Sequence, residues 1–282
     1  MDRIERRKYA RERWKGTTVG MVAPLLALII WQAVAAAGWV NPQVLPAPLD
    51  VGRKWLAYLL PLAPYAEYTE GGWLRWALSG ELPVDIATSM LRVVLGFGIG
   101  AGLALPLGLA MGASPLVYAW LNPLVQILRP IPPIAYIPLA ILWFGLGNPP
   151  AVFLIALGAF FPVLMNTIAG VRHVDGIYLR AARNLGADGA TLFVRVILPA
   201  AVPYILSGAR IGIGTAFIVV IVSEMIAVNN GLGFRILEAR EYFWSDKIIA
   251  GMITIGMLGL AIDVAMNRLN NHLLRWHRGL EH

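Results

Sequence analysis

The sequence predicts an all-α polytopic membrane protein with six transmembrane helices, and three observations predict it. Of 282 residues, 58% are hydrophobic and only 14% charged, against roughly 25% charged in a soluble domain. The apolar residues gather into six runs, each near the roughly 20 residues that a helix needs to cross a bilayer. Basic residues concentrate in alternate connections, the pattern that marks the cytoplasmic side.

The elements follow in order. Residues 1–18 form a basic tail in which MDRIERRKYARERWK carries seven Lys or Arg against three acids, which holds it in the cytoplasm. The first span, Val19 to Trp39, reads as a retained anchor, because no small-residue cleavage site is followed by a soluble mature domain. An outer segment, residues 40–85, opens on the Pro-rich NPQVLPAPLD and carries Trp55, Trp73 and Trp76. It reads as a short amphipathic helix at the membrane surface. The second span covers Ile86 to Gly112 and the third Leu121 to Gly147. Pro130, Pro132, Pro133 and Pro138 make the third irregular, because each removes a backbone donor. The fourth, Ala151 to Val171, and the fifth, Pro203 to Ala227, flank a cytoplasmic loop, residues 172–202. The sixth runs from Lys247 to Met266. The transmembrane domain thus occupies residues 19–268, followed by a cytoplasmic tail, 269–282, with Arg275 and Arg278. The outer segment holds three basic and five acidic residues, the loop Arg172 to Val202 four basic and two acidic. Both termini are therefore expected in the cytoplasm.

Several kinds of chemistry are excluded or disfavoured. With no cysteine there are no disulfides or thiolates. Three of the four histidines, His272, His277 and His282, sit near the C-terminus, and no metal site is expected. No lysine follows a glycine, so no G-x-x-x-x-G-K-[ST] phosphate loop exists. The net charge of +7 reflects topology rather than nucleic-acid binding. The run Gly96 to Gly102 lies inside an apolar span and reads as helix packing. Gly96/Gly100, Gly98/Gly102, Gly108/Gly112 and Gly208/Gly212 all have the spacing that lets helices approach closely in lipid.

Charges within spans cost about 2.5 to 3.5 kcal/mol unless paired or wet. Five occur: Arg92, Arg129, Arg210, Glu224 and Asp263. Either they pair and hold the bundle together, or they face a cavity, where arginines would draw anions.

The segment Arg180 to Pro199, RAARNLGADGATLFVRVILP, is polar between long apolar stretches. Ala181, Ala182 and Leu185 form a small apolar helical face, Gly186 is a natural helix stop, and Asp188 is placed to cap the next turn. A short helix with such a face would insert into a groove on a partner. The pattern E-A-A-x3-G-x9-I-x-L-P of ABC importer permease subunits is similar to this segment, matched at Ala181, Ala182, Gly186, Leu198 and Pro199. Arg180 stands where the pattern has glutamate, and Val196 where it has isoleucine. From about Pro46 to Ala261 the chain also resembles the nitrate, sulfonate, taurine and bicarbonate branch of these permeases, through LPAPLDV, TSMLRVVLGF, LRPIPPIAYIPLAILWFGLG and IVSEMIAVNNGLGF.

The resemblance implies a type I ABC importer permease-like fold in the bacterial plasma (inner) membrane. It implies a permease dimer that forms the path for a small, anionic solute and receives it from a periplasmic or lipid-anchored binding protein. ATP and Mg would be used by two separate ATP-binding subunits, with no cofactor, metal or catalysis on this chain. Coupling to those subunits would fall on Arg180, Ala181, Ala182, Leu185, Gly186, Ala187 and Asp188. Path candidates are Arg92, Arg129, Tyr136, Asn166 and Glu224. The alternative is an ion-coupled secondary transporter, which would show internal repeats near its site. A membrane-embedded enzyme would need a metal cluster or nucleophile pair that the spans do not display.

Overall fold

The computed structural model describes residues 22–61 and 72–274. The expected N-terminal tail, the start of the first span and the last eight residues lie outside them. Among the described residues every regular element is helical: α1 (Val22–Ala36), α2 (Pro48–Leu59), α3 (Trp73–Ala77), α4 (Glu81–Ala113), α5 (Pro115–Leu128), α6 (Ile137–Phe144), α7 (Asn148–Arg172), α8 (Gly176–Asn184), α9 (Gly189–Leu192), α10 (Leu198–Ala227), α11 (Leu232–Glu241) and α12 (Ser245–Leu273).

The helices α4, α7, α10 and α12 are each long and apolar enough to cross a membrane, and the pair Pro115–Leu128 and Pro133–Phe144 makes a fifth, bent by 83°. Within the described residues α1 is a shorter apolar helix. The second span starts at Glu81 rather than Ile86, since Glu81 and Asp85 extend the same helix. The broken span starts at Pro115 rather than Leu121. Ser114 caps it, its hydroxyl accepting from Val117 N, and proline suits the first helical turn. The break at residues 129–132 follows from the missing N–H groups of Pro130, Pro132 and Pro133.

Before the fifth span, the helix does not begin at the prolines. It is continuous in its apolar run from Gly189 to Ala227, with a π-helical turn at Phe193–Ile197 in which Leu198 N donates to Phe193 O. The wider turn precedes Pro199, which has no N–H to continue the α ladder.

At the centre is α7, packed between α4 and α10. Small residues set this approach. A side chain at Gly100 would collide with the Ala156 carbonyl, and one at Gly212 would meet Val163. The pairs Gly96/Gly100, Gly108/Gly112 and Gly208/Gly212 all face α7, as their spacing predicts, whereas Gly98 and Gly102 have open space beside them. Being two residues out of register, they fall on the other side of α4. One apolar core joins Val93, Leu154, Ile155, Ala216 and Val220, and a second joins Ala104, Met111, Val163 and Leu164. The amphipathic α2 packs against α12, burying Val51 and Tyr58 while the Trp55 indole N–H donates to Thr254 Oγ1 at 2.9 Å.

Two ends of the bundle are thereby defined. At one, Gly147 N donates to Ala227 O at 2.8 Å. At the other, the Arg172 guanidinium lies 3.8 Å from the Tyr118 ring centroid, and α8 and α9 link α7 to α10.

Candidate functional site

Three arrangements hold the candidate residues. The first is the connection from α7 to α10. Asp175 starts α8, its carboxylate accepting from Ile177 N at 2.8 Å. Gly186 ends it in the left-handed region, at φ +85°. There Gly186 N donates to Arg183 O and Ala187 N to Ala182 O, at 2.9 and 3.0 Å, the paired bonds of a Schellman ending. Ala181 is exposed, and so are Ile177 at 61%, Tyr178 at 58% and Leu185 at 89%. The apolar face is thus broader than Ala181, Ala182 and Leu185, since Ile177 and Tyr178 lie one turn before Ala181 on the same side. Arg180 is also exposed. Asp188 occupies the N-cap of α9, but its carboxylate makes no capping bond. Asp175 is the residue that caps, and its place just before an apolar-periodic stretch was the signal for it.

The second arrangement is a buried polar lattice at the opposite end. Arg92 Nη1 lies 2.6 Å from Glu224 Oε1, and their side chains are 3% and 0% exposed. Arg92 also donates to Asn148 Oδ1, the Asn230 carbonyl and the Asn230 side chain. Glu224 accepts from Ser89 Oγ at 2.9 Å and from Gly233 N at 3.0 Å. Asp85 accepts from Tyr58 Oη, Gly231 N and Arg235 Nε at 2.7, 3.0 and 2.8 Å. Burial by itself lowers the Arg235 pKa, but the bonds to Asp85 and Glu238 reverse this and raise it, so the cation persists. Burial, reinforced by Asp85, raises the Tyr58 pKa, so the phenol keeps the proton that it donates. A side chain at Gly231 would strike the Glu224 carboxylate, which is why the loop can close over it. Asp85, Ser89, Asn148, Asn230 and Arg235 did not stand out in the sequence. The spacing of Asp85, Ser89 and Arg92 at i, i+4 and i+7 was the available signal, since it puts all three on one helical face.

The third arrangement is a groove of about 370 Å³ beside the break in the bent span. Arg129, Pro132 and Pro133 line one side, Phe161, Met165 and Asn166 of α7 another, and Ile211 and Thr215 of α10 a third. Arg129 and Asn166 therefore come together. Tyr136 instead packs against the core around Val93 and Leu154, while Arg92 and Glu224 close on each other at the far end of α7. Arg210, outside the groove, pairs with Asp263 at 2.7 Å.

A polytopic helical bundle with a broken span and an exposed helical connection is the architecture of a multi-pass membrane protein. Residues 102–279 match the family described as binding-protein-dependent transport system inner membrane component, and the chain belongs to that family. Among its relatives, the taurine transport system permease protein TauC of Escherichia coli (strain K12) is 35% identical over 92% of this chain and 89% of its own length. The nitrate import permease protein NrtB of Synechocystis sp. (strain ATCC 27184 / PCC 6803 / Kazusa) is 34% identical over 86% of this chain and 84% of its own. In fold, the chain is similar to a solved structure of the MetNI methionine ABC transporter in inward-facing conformations. The TM-score is 0.60 at 18% identity, over 67% of this chain and 94% of that one.

Proposed function

We propose that this chain is the permease subunit of an ATP-driven importer for a small oxyanion of the taurine, sulfonate or nitrate kind. In this reading α8 and the turn at Gly186 dock on a cytoplasmic ATP-binding subunit, two of which serve a permease dimer. The opposite, lattice-bearing end faces outward and receives solute from a binding protein. The observation that carries the reading is the exposed apolar face of α8, with Leu185 89% exposed, in the connection between two membrane spans. A partner seated on that face moves α7 and α10 together. ATP-driven closure acts on the permease only through this contact, because a conformational shift requires a partner that binds the two states differently. The relatives that carry taurine and nitrate in their names support an oxyanion as cargo.

The test is reconstitution in liposomes with the ATP-binding subunit and the binding protein, followed by ATPase rate and uptake across taurine, alkyl sulfonates, nitrate and bicarbonate. Stimulation by at least one oxyanion, with ATP-dependent accumulation, is expected. Uptake that proceeds without ATP and follows a proton or sodium gradient would reject the reading.

A further inference from the structure

Of the arginines set away from the span ends, Arg92 is neutralised by Glu224 at 2.6 Å and Arg210 by Asp263 at 2.7 Å. Among the described residues, no hydrogen bond or ion pair engages the side chain of Arg129. Its place, far along an apolar helix, makes this unusual. It follows the 14 residues of α5, which places it about 21 Å along that helix from the Ser114 cap. The groove it lines runs along the middle of the 25-residue α7. An unpaired guanidinium facing hydrocarbon at mid-membrane is strongly unfavourable, so such a group faces water or an anion. Beside it in the groove are the Asn166 amide, which donates one N–H to Pro162 O at 2.8 Å, and the Thr215 hydroxyl, which donates to Ile211 O at 3.0 Å. The other walls, Phe161, Met165 and Ile211 among them, are apolar.

We infer that this groove is an anion-binding station, in which Arg129 holds the oxyanion head of a small organic sulfonate while its short tail lies against the apolar walls. A single unpaired cation in such surroundings suits a monovalent oxyanion, and the guanidinium fork suits an oxyanion in particular. The inference deepens the importer reading and rests on it for the direction of transport, but anion capture in the groove is measurable without transport.

The cysteine-free chain allows a direct test. Asn166→Cys and Thr215→Cys are introduced singly in the full chain in liposomes and treated with two methanethiosulfonates, one ending in a sulfonate and one in a trimethylammonium. Rates are normalised to Leu185→Cys, which is exposed. With Arg129 present, the groove cysteines favour the sulfonate reagent. Arg129→Gln lowers that preference about tenfold, and Arg129→Lys keeps it within about threefold. Ethanesulfonate in the medium slows labelling in the parent and not in Arg129→Gln. An unchanged preference in Arg129→Gln overturns the inference, as does a groove that neither reagent reaches while Leu185→Cys reacts. An Arg129-dependent preference in a chain that shows no ATP-driven uptake would instead keep the station and reject the importer reading.

Discussion

The two ends of the bundle are built on opposite principles. At one, Arg92 pairs with Glu224 and Asp85 with Arg235, and the two pairs are tied together through Ser89 and the backbone of residues 230–233. At the other, α8 is held by one capping carboxylate and one glycine turn, and its apolar face is open. The first end loses stability if any member goes, because each buried charge depends on the rest. The second is set by local backbone chemistry, so a change there is expected to alter how α8 is presented and leave the bundle intact. One end is suited to holding helices in register and the other to being gripped.

The largest effect is expected at the lattice. Glu224→Ala strands the Arg92 guanidinium, and removal of one partner of a buried pair costs about 3 to 5 kcal/mol. Folded protein should fall sharply, and unfolding in detergent should shift by that amount. Replacing both, as Arg92→Met with Glu224→Leu, should recover much of the loss, because two apolar side chains leave no charge unpaired. If Glu224→Ala unfolded within about 1 kcal/mol of the parent, the lattice would not be what fixes this end.

A smaller effect on stability but a larger one on function is expected from Gly186→Val. A β-branched residue at φ +85° costs about 1 to 3 kcal/mol locally, so the Schellman turn is expected to rearrange and redirect α8. Membrane insertion and the unfolding midpoint should change little, while ATP-coupled uptake is lost. Normal uptake by this variant would count against α8 as the gripped element.

The membrane class, the central spans and the proline break were legible because hydrophobicity, length and missing N–H groups act locally along the chain. The glycine pairs were half legible. Their spacing is a property of one helix, but which of two interleaved pairs faces α7 depends on the partner, and only Gly96/Gly100 does. The arginines show the limit most plainly. Arg92, Arg129 and Arg210 looked alike as charges in apolar runs, yet Arg92 meets a glutamate 132 residues away, Arg210 an aspartate 53 away, and Arg129 neither. Pairing over such separations is set by tertiary packing, so sequence spacing carries no record of it.

The smallest effect separates two aspartates that look alike in sequence. Asp175 accepts from Ile177 N at 2.8 Å, and loss of such a cap costs about 1 kcal/mol. Asp175→Ala should therefore raise amide exchange in the first turn of α8 about fivefold without moving global unfolding, since α8 is held locally. Asp188→Ala should leave exchange in α9 nearly unchanged, because its carboxylate makes no bond to that helix. Equal responses from the two variants would mean that α8 is positioned by something other than its own caps. The contrast between a locally built end and a cross-linked one would then have to be redrawn.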